Sequence, residues 1–228
     1  MAKESKMNLG IDEAGRGCLA GPVVVGAVAI PQGFKIPNGL PELRDSKKMT
    51  SLQRNEWYEW LVKEGSEKGI LFSVHAVSPI KLDRINIAQA ANLAAWRGFK
   101  QISEEIEALD IKRIMVVLDG GLFLKNRRFQ KKAFPGSHSE TEVRTVIRAD
   151  SKFTEVMMAA TLAKVTRDRK MIRLARKYPE YGFDIHKGYG TRRHIEAIRE
   201  YGPIEGFHRK TFISRIWANP ATDVPQIP

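Results

Sequence analysis

The sequence predicts an α/β fold, a mixed sheet with helices on its faces and a small helical extension near the C-terminal end. Three features carry this prediction. Short apolar runs of strand length alternate with longer helical patterns. A continuous apolar run at 113–118 follows a long amphipathic helix, as a buried parallel strand follows its crossover. The resulting order is strand, strand, helix, strand, helix, strand, strand, helix.

Residues 7–12 and 22–30 are apolar runs joined by a Gly-rich turn, which predicts an antiparallel pair. Thr50 and Gln53 have the spacing of a capping box and open a helix that runs through Leu61 and ends near Gly65. Residues 71–77 form the third strand. In the helix at 88–109, Ala91, Ala95, Phe99, Ile102, Ile106 and Leu109 fall on one face. The run at 113–118 closes on Asp119-Gly120-Gly121. Residues 125–139 are polar and basic around Pro135-Gly136 and predict a loop before a strand at 143–148. Ser151-Lys152 precede a helix at 154–177 that Pro179 closes, and a shorter helix follows at 191–201. Three prolines in 219–228 predict a poorly ordered tail. The expected organisation is one domain over 1–217, including the C-terminal helical region, and a flexible tail over 218–228.

With 228 residues the chain is long enough to bury a sizeable core, and its net charge of +12 favours a polyanionic partner over an acidic or apolar one. The single cysteine, Cys18, excludes an intramolecular disulfide framework and suits a reducing compartment. No apolar window reaches the length of a membrane span, and the opening residues lack a signal-peptide pattern. The expectation is a cytoplasmic protein with no membrane contact.

The chemistry concentrates where strands end. Asp12 and Glu13 close the first strand, Asp119 closes the run at 113–118, and Asp150 ends 143–150 just before a helix. In an open α/β sheet, ligands gather beyond the carboxyl ends of strands, and clustered carboxylates suit a hard divalent cation. Each acid has an ordinary structural reading: Asp119-Gly120 is a turn signature, and Asp150 is a good helix cap. Four acids at three strand ends are harder to explain that way. Successive strand residues face opposite sides, so bringing Asp12 and Glu13 to one site requires irregular backbone there, which the neighbouring glycines would permit.

Arg16 sits between Gly15 and Gly17, where a side chain and bare amides can reach a phosphate together. The spacing is not a dinucleotide-binding fingerprint: Ala20 can stand for the third glycine, but Pro22 soon after argues against a helix N-terminus docking a pyrophosphate. The segment 186–194, HKGYGTRRH, packs cations, glycines and Tyr189 into a loop entering a helix, a pattern able to hold phosphates and stack on a sugar or base. Asp45-Ser46-Lys47-Lys48 is a weaker basic-loop signal. Lys164, Arg167 and Lys170 share a helical spacing whose ordinary reading is a solvated cationic face. Trp57, Trp60 and Trp96 fall in helical patterns and read as packing residues. His186 and His194 lack the cysteine partners and spacing of a structural zinc site.

Taken together the motifs resemble type 2 ribonuclease H, specifically ribonuclease HII. The shared segments are IDEAGRG (11–17), DSKKM (45–49), VLDG (117–120), RADSKF (148–153), AKVTRD (163–168), YPEYGFDIHKGYGT (178–191) and HRKTF (208–212), in family order. The arginine between the glycines is absent from the related ribonuclease HIII. The resemblance implies an RNase H-like fold. It implies that Asp12, Glu13, Asp119 and Asp150 are catalytic and hold one or two Mg²⁺ or Mn²⁺ ions. It also implies that Gly15, Arg16, Gly17 and Tyr189 recognise a ribonucleotide joined to DNA. Ser46, Lys47 and Lys187 are further expected substrate contacts.

The implied activity is endonucleolytic cleavage of the RNA strand of RNA/DNA hybrids, and of DNA at single embedded ribonucleotides, leaving 5′-phosphate and 3′-hydroxyl ends. A non-catalytic hybrid-binding protein would account for the positive charge but is badly served by clustered acids, which repel phosphate. A resolvase- or transposase-like nuclease would use the acids but gives no role to the Gly-Arg-Gly and tyrosine pair. The expected partners are RNA/DNA hybrid and ribonucleotide-containing DNA, bound by a monomer. The ending VPQIP lacks the paired aromatics of a clamp-binding peptide, so no sliding-clamp contact is expected.

Overall fold

The computed structural model of the protein describes residues 6–124 and 140–218. The loop expected at 125–139 and the tail at 219–228 lie outside them. A five-stranded sheet has the order β3-β2-β1-β4-β5, built from β1 (Lys6–Ala14), β2 (Val23–Pro31), β3 (Leu71–Val77), β4 (Arg113–Asp119) and β5 (Glu140–Val146). The first three strands form an antiparallel meander, and β4 and β5 add in parallel beside β1. The sheet is therefore mixed, as expected, and β1 lies at its centre.

Alternation along β1 sorts its residues between two layers. Met7, Leu9 and Ile11 face α3 (Ile87–Ala108), where they bury against Ala91, Ala94, Ala95, Ile102 and Ile106. Gly10 faces α4 (Thr154–Lys177), and a Cβ there would lie 2.3 Å from the Glu155 carbonyl carbon. Gly26 on β2 repeats the device against the Ala159 carbonyl oxygen. Two glycines on adjacent strands thus let α4 lie directly on the sheet, and its N-terminal end comes down over the ends of β1 and β4. The helix α1 (Ser51–Glu64) covers α4 through Trp57, Trp60 and Leu61, opposite Met158 and Leu162, and Thr50 and Gln53 form the expected capping box.

Beyond α4, α5 (Phe183–His186), α6 (Arg192–Tyr201) and α7 (Lys210–Ala218) form the C-terminal helical extension. They gather around Tyr181, Phe183, Ile198 and Ile213, with Tyr181 stacked on Phe183 at a centroid distance of 5.5 Å. Among the described residues, no helix is long and apolar enough to cross a membrane.

Three local expectations are corrected. The first strand continues through Ala14 in regular register with Val24, so the backbone at Asp12 and Glu13 is not irregular. The last strand begins at Glu140 and ends at Val146, earlier than the expected 143–148, so Asp150 ends no strand; it lies in a 3₁₀ turn, Ala149–Ser151. Finally, α2 (Pro79–Ile85) occupies a stretch where no element was expected, although Ser78 at its N-cap and Pro79 in its first turn are ordinary helix-start signals.

Candidate active site

Parallel pairing of Ile11 with Leu118 places Asp12 and Asp119 side by side, one residue beyond the last paired positions. Both lie on the sheet face that α4 covers, because Ile11 and Leu118 point into the opposite core. The 3₁₀ turn before α4 then brings in Asp150. Carboxylate oxygens of Asp12, Asp119 and Asp150 lie within 4.8 Å of one another. Asp119 Oδ1 also accepts from the Ala149 amide at 2.7 Å, which ties the turn to β4. The capping alternative for Asp150 is not realised: the N-cap of α4 is Phe153, without a side-chain cap.

The cluster is short of positive charge. Burial and the neighbouring Glu13 and Asp119 carboxylates push the Asp12 pKa well above its usual range. Burial and Asp119 raise that of Asp150, against the pull of Lys47, whose Nζ lies 3.9 Å from Asp150 Oδ2. A divalent cation between these oxygens relieves that repulsion, so the donor set fits a hard metal ion.

Glu13 does not join the three aspartates. It lies outside the group whose oxygens meet within 4.8 Å but stays within electrostatic reach of Asp12 and Asp119; its Oε1 accepts from Arg16 Nη1 at 3.1 Å and its Oε2 is buried with no hydrogen-bond partner. Burial raises its pKa, with Arg16 opposing. The expected backbone irregularity is corrected by the regular register, while Glu13 remains next to the cluster at the end of β1. Arg16 Nη1 also donates to the Gly121 carbonyl at 3.1 Å, and a Cβ on Gly121 would meet that nitrogen at 2.4 Å. Gly121 is thus required for the Arg16 position, a role the Asp-Gly-Gly turn signature does not reveal.

The Gly-Arg-Gly and Tyr189 segments are joined through their backbones. Leu19 and Ala20 amides donate to Gly188 O at 2.8 and 3.3 Å, and Ala20 pairs with His208. Two fully buried arginines lock this platform. Arg167 donates to the carbonyls of Pro22, Lys187 and Ala20 at 2.8–3.1 Å, and Arg209 to those of Gly21, Arg16 and Gly15 at 2.7–3.0 Å. Gly15 has φ +88°, and a Cβ there would overlap the Arg167 side chain. The expected solvated face on α4 is corrected accordingly: Arg167 is 0 % exposed. Lys164 pairs with Asp168 at 2.9 Å.

Tyr189 is 42 % exposed, with Lys164 Nζ and Arg167 Cζ each 5.7 Å from its ring centroid and the Cys18 thiol facing its hydroxyl. Gly17 borders open space. Lys47 is largely exposed beside Asp150, whereas Ser46 is buried and its carbonyl accepts from Arg54. The Lys187 amine turns back to the Asp184 carbonyl. Trp57 and Trp60 are buried and Trp96 packs against the α3 core, as expected of packing residues.

The family model for ribonuclease HII matches residues 9–219. The chain belongs to the ribonuclease HII family. A ribonuclease HII of Fusobacterium nucleatum subsp. nucleatum is 38 % identical over 213 residues, covering 93 % of this chain and 88 % of that one. The ribonuclease H2 of Pyrococcus horikoshii OT3 superposes with a TM-score of 0.64 at 25 % identity, covering 93 % and 97 %. The ribonuclease HII of Archaeoglobus fulgidus, solved in complex with PCNA, gives 0.59 at 26 % identity, covering 92 % and 96 %. Membership in ribonuclease HII makes this chain a metal-dependent endonuclease with ribonuclease H activity on RNA/DNA hybrids.

Below the platform, His194 and His208 are buried and neutral: desolvation pushes their pKa values down to about 3 and about 4. An unfolded histidine takes up its proton near pH 6.5, so from there to about pH 4 the unfolded chain binds more protons and stability falls as pH falls. The raised carboxylate pKa values act in the opposite sense but are common to wild type and histidine variants. Replacing His208 by Asn is expected to make the loss on acidification shallower by up to about 1.4 kcal/mol per pH unit between pH 6.5 and 4. Urea unfolding at several pH values measures this, and identical slopes for the two proteins would refute it.

Proposed function

We propose that this ribonuclease HII cuts single ribonucleotides embedded in duplex DNA as well as longer hybrids, with Mg²⁺ or Mn²⁺ held by Asp12, Asp119 and Asp150 and Glu13 beside them. The observation that carries the reading is the meeting of three carboxylates within 4.8 Å at the carboxyl ends of β1 and β4. When bound there, a divalent ion supplies water activation and neutralisation of phosphate charge. Water adds to phosphorus, the P–O3′ bond breaks, and the 3′ oxygen leaves as a hydroxyl, giving 5′-phosphate and 3′-hydroxyl ends.

The chain's own residues orient the strand. Arg16 and the open backbone at Gly17 read the 2′-hydroxyl and adjacent phosphate, and the 2′-hydroxyl distinguishes RNA from DNA irrespective of base. Tyr189 presents its ring to the sugar at the junction. Lys47, exposed beside Asp150, contributes positive charge to the phosphate path. Ser46, buried beneath its loop, and Lys187, whose amine bonds the Asp184 carbonyl, belong to the two loops proposed to flank the substrate. The Archaeoglobus relative was solved with PCNA; for this chain the proposed partners remain the nucleic acids alone. The test is cleavage of a duplex carrying one ribonucleotide, with and without Mg²⁺, followed by end analysis. Metal-dependent cutting with a 5′-phosphate product supports the reading, and intact duplex beside a cleaved long hybrid rejects it.

Replacing Tyr189 by Ala is expected to remove a stacking contact worth about 1–3 kcal/mol, roughly tenfold to a hundredfold in kcat/KM. The loss should be larger on the single ribonucleotide than on a long hybrid, where neighbouring registers compensate. Equal losses on both substrates would make Tyr189 a general positioning residue.

A further inference from the structure

Three histidines lie immediately beneath Tyr189, and the hydrogen bonds of two fix their protonation pattern. The Ile204 amide donates to His208 Nδ1 at 2.8 Å, so the proton of a neutral His208 sits on Nε2. That nitrogen is 3.1 Å from His194 Nε2, which must therefore accept. The His194 proton is left on Nδ1, which donates to the Tyr189 carbonyl at 2.9 Å. Three bonds thus run head to tail from residue 204 to residue 189 with a single consistent polarity. Both rings are buried, and both are held neutral by desolvation.

The third histidine extends the support. His186 stacks on His194 at a centroid distance of 4.4 Å and an interplanar angle of 17°. Its Nδ1 accepts from the Gly188 amide at 3.1 Å, and its Nε2 meets the Tyr181 carbonyl at 2.6 Å. The loop needs such support, because Lys187 and Gly188 are consecutive residues at positive φ and the Tyr189 ring is substantially exposed. The Cys18 thiol meets the ring hydroxyl from one side, and the main chain that carries the ring is held from below.

We propose that His194, its proton held on Nδ1 by the bond it accepts from His208, positions the Tyr189 main chain and thereby sets the preference for a single embedded ribonucleotide over a long hybrid; an amide at the Nδ1 position donates without needing His208. This rests on the reading of Tyr189 as the residue that contacts the junction. Neither histidine touches substrate; both act through Tyr189, and so are positioning residues. The Tyr189 carbonyl also accepts from the Thr191 amide at 2.8 Å, so losing the His194 bond loosens the loop without leaving a bare buried acceptor.

Two substitutions at one position separate positioning from packing. His194→Asn places an amide where Nδ1 stood and can still donate to Tyr189 O. His194→Gln places its amide near Nε2, keeping the His208 contact and losing the one to Tyr189. The ratio of kcat/KM on a one-ribonucleotide duplex to that on a long hybrid is expected to fall about tenfold for His194→Gln, part of the roughly hundredfold that a misplacement near 1 Å can cost. It should stay within about twofold of wild type for His194→Asn. Adding His194→Gln to Tyr189→Ala should lower the ratio no further. An unchanged ratio in His194→Gln, equal losses on both substrates, a further fall in the double variant, or melting of both variants below the assay temperature would each overturn the positioning role of His194. If Tyr189→Ala alone lowers the ratio while His194→Gln does not, only that role fails. If Tyr189→Ala leaves the ratio unchanged, the junction reading fails with it.

Discussion

Asp119→Asn is expected to reduce turnover by on the order of 10²–10³-fold or more while hybrid binding is retained or tightened. The substitution is nearly isosteric, and an Asn Oδ1 can still accept from the Ala149 amide that Asp119 Oδ1 holds at 2.7 Å, so the turn carrying Asp150 stays in place. What disappears is one negative charge from a cluster whose other members, Asp12 and Asp150, already have raised pKa values through burial and mutual repulsion. The site then holds a divalent ion less well but repels phosphate less. Single-turnover cleavage and hybrid binding, measured at several Mg²⁺ concentrations, separate the two effects. Near-normal cleavage at saturating Mg²⁺ would remove Asp119 from the reaction.

Arg209→Met is expected to cost about 3 kcal/mol of stability and, in whatever fraction remains folded, to weaken substrate binding. Methionine keeps the unbranched apolar stem about as far as the Nε position and relieves the cost of burying a charge, which shows in the Arg209 pKa pushed down to about 10. It leaves the carbonyls of Gly15, Arg16 and Gly21 without their buried donors. Two of these belong to the Gly-Arg-Gly loop, so the conformation that presents Arg16 should relax together with the fold. Urea unfolding and hybrid affinity measure the two parts. A midpoint equivalent to less than about 0.5 kcal/mol of change, with unaltered affinity, would show that the loop holds itself.

The aspartates were legible because strand ends are legible. An apolar run stopping at Asp12 and another stopping at Asp119 need only parallel adjacency to share a site, and β1 and β4 supply it. Asp150 was found for a partly mistaken reason: the polar residues of β5 hide its true limits, and a 3₁₀ turn rather than the strand carries the side chain. Glu13 shows the reverse. Alternation argued that it could not accompany Asp12, and the regular register through Ala14 upholds alternation over the bulge that the nearby glycines suggested.

Arg167 and Arg209 were not legible as buried residues. In sequence each sits among other cations, and nothing local distinguishes a guanidinium facing water from one facing three carbonyls brought together by the chain's return. The same holds for His194 and His208, whose pairing depends on a separation of 14 residues and a shared pocket beneath Tyr189. Helical periodicity reports which face of an element is apolar, but it carries no information about polar groups that are buried because a loop from elsewhere covers them.

Asp12, Asp119 and Asp150 are proposed to form one divalent-metal site. Anomalous diffraction from crystals of the protein grown with Mn²⁺ tests it most directly. The expected result is a manganese peak among the three carboxylates, with a second peak about 3.5–4 Å away if two ions bind. Manganese located elsewhere, or an Asp150 carboxylate turned into solvent while manganese is bound at Asp12 and Asp119, would contradict it.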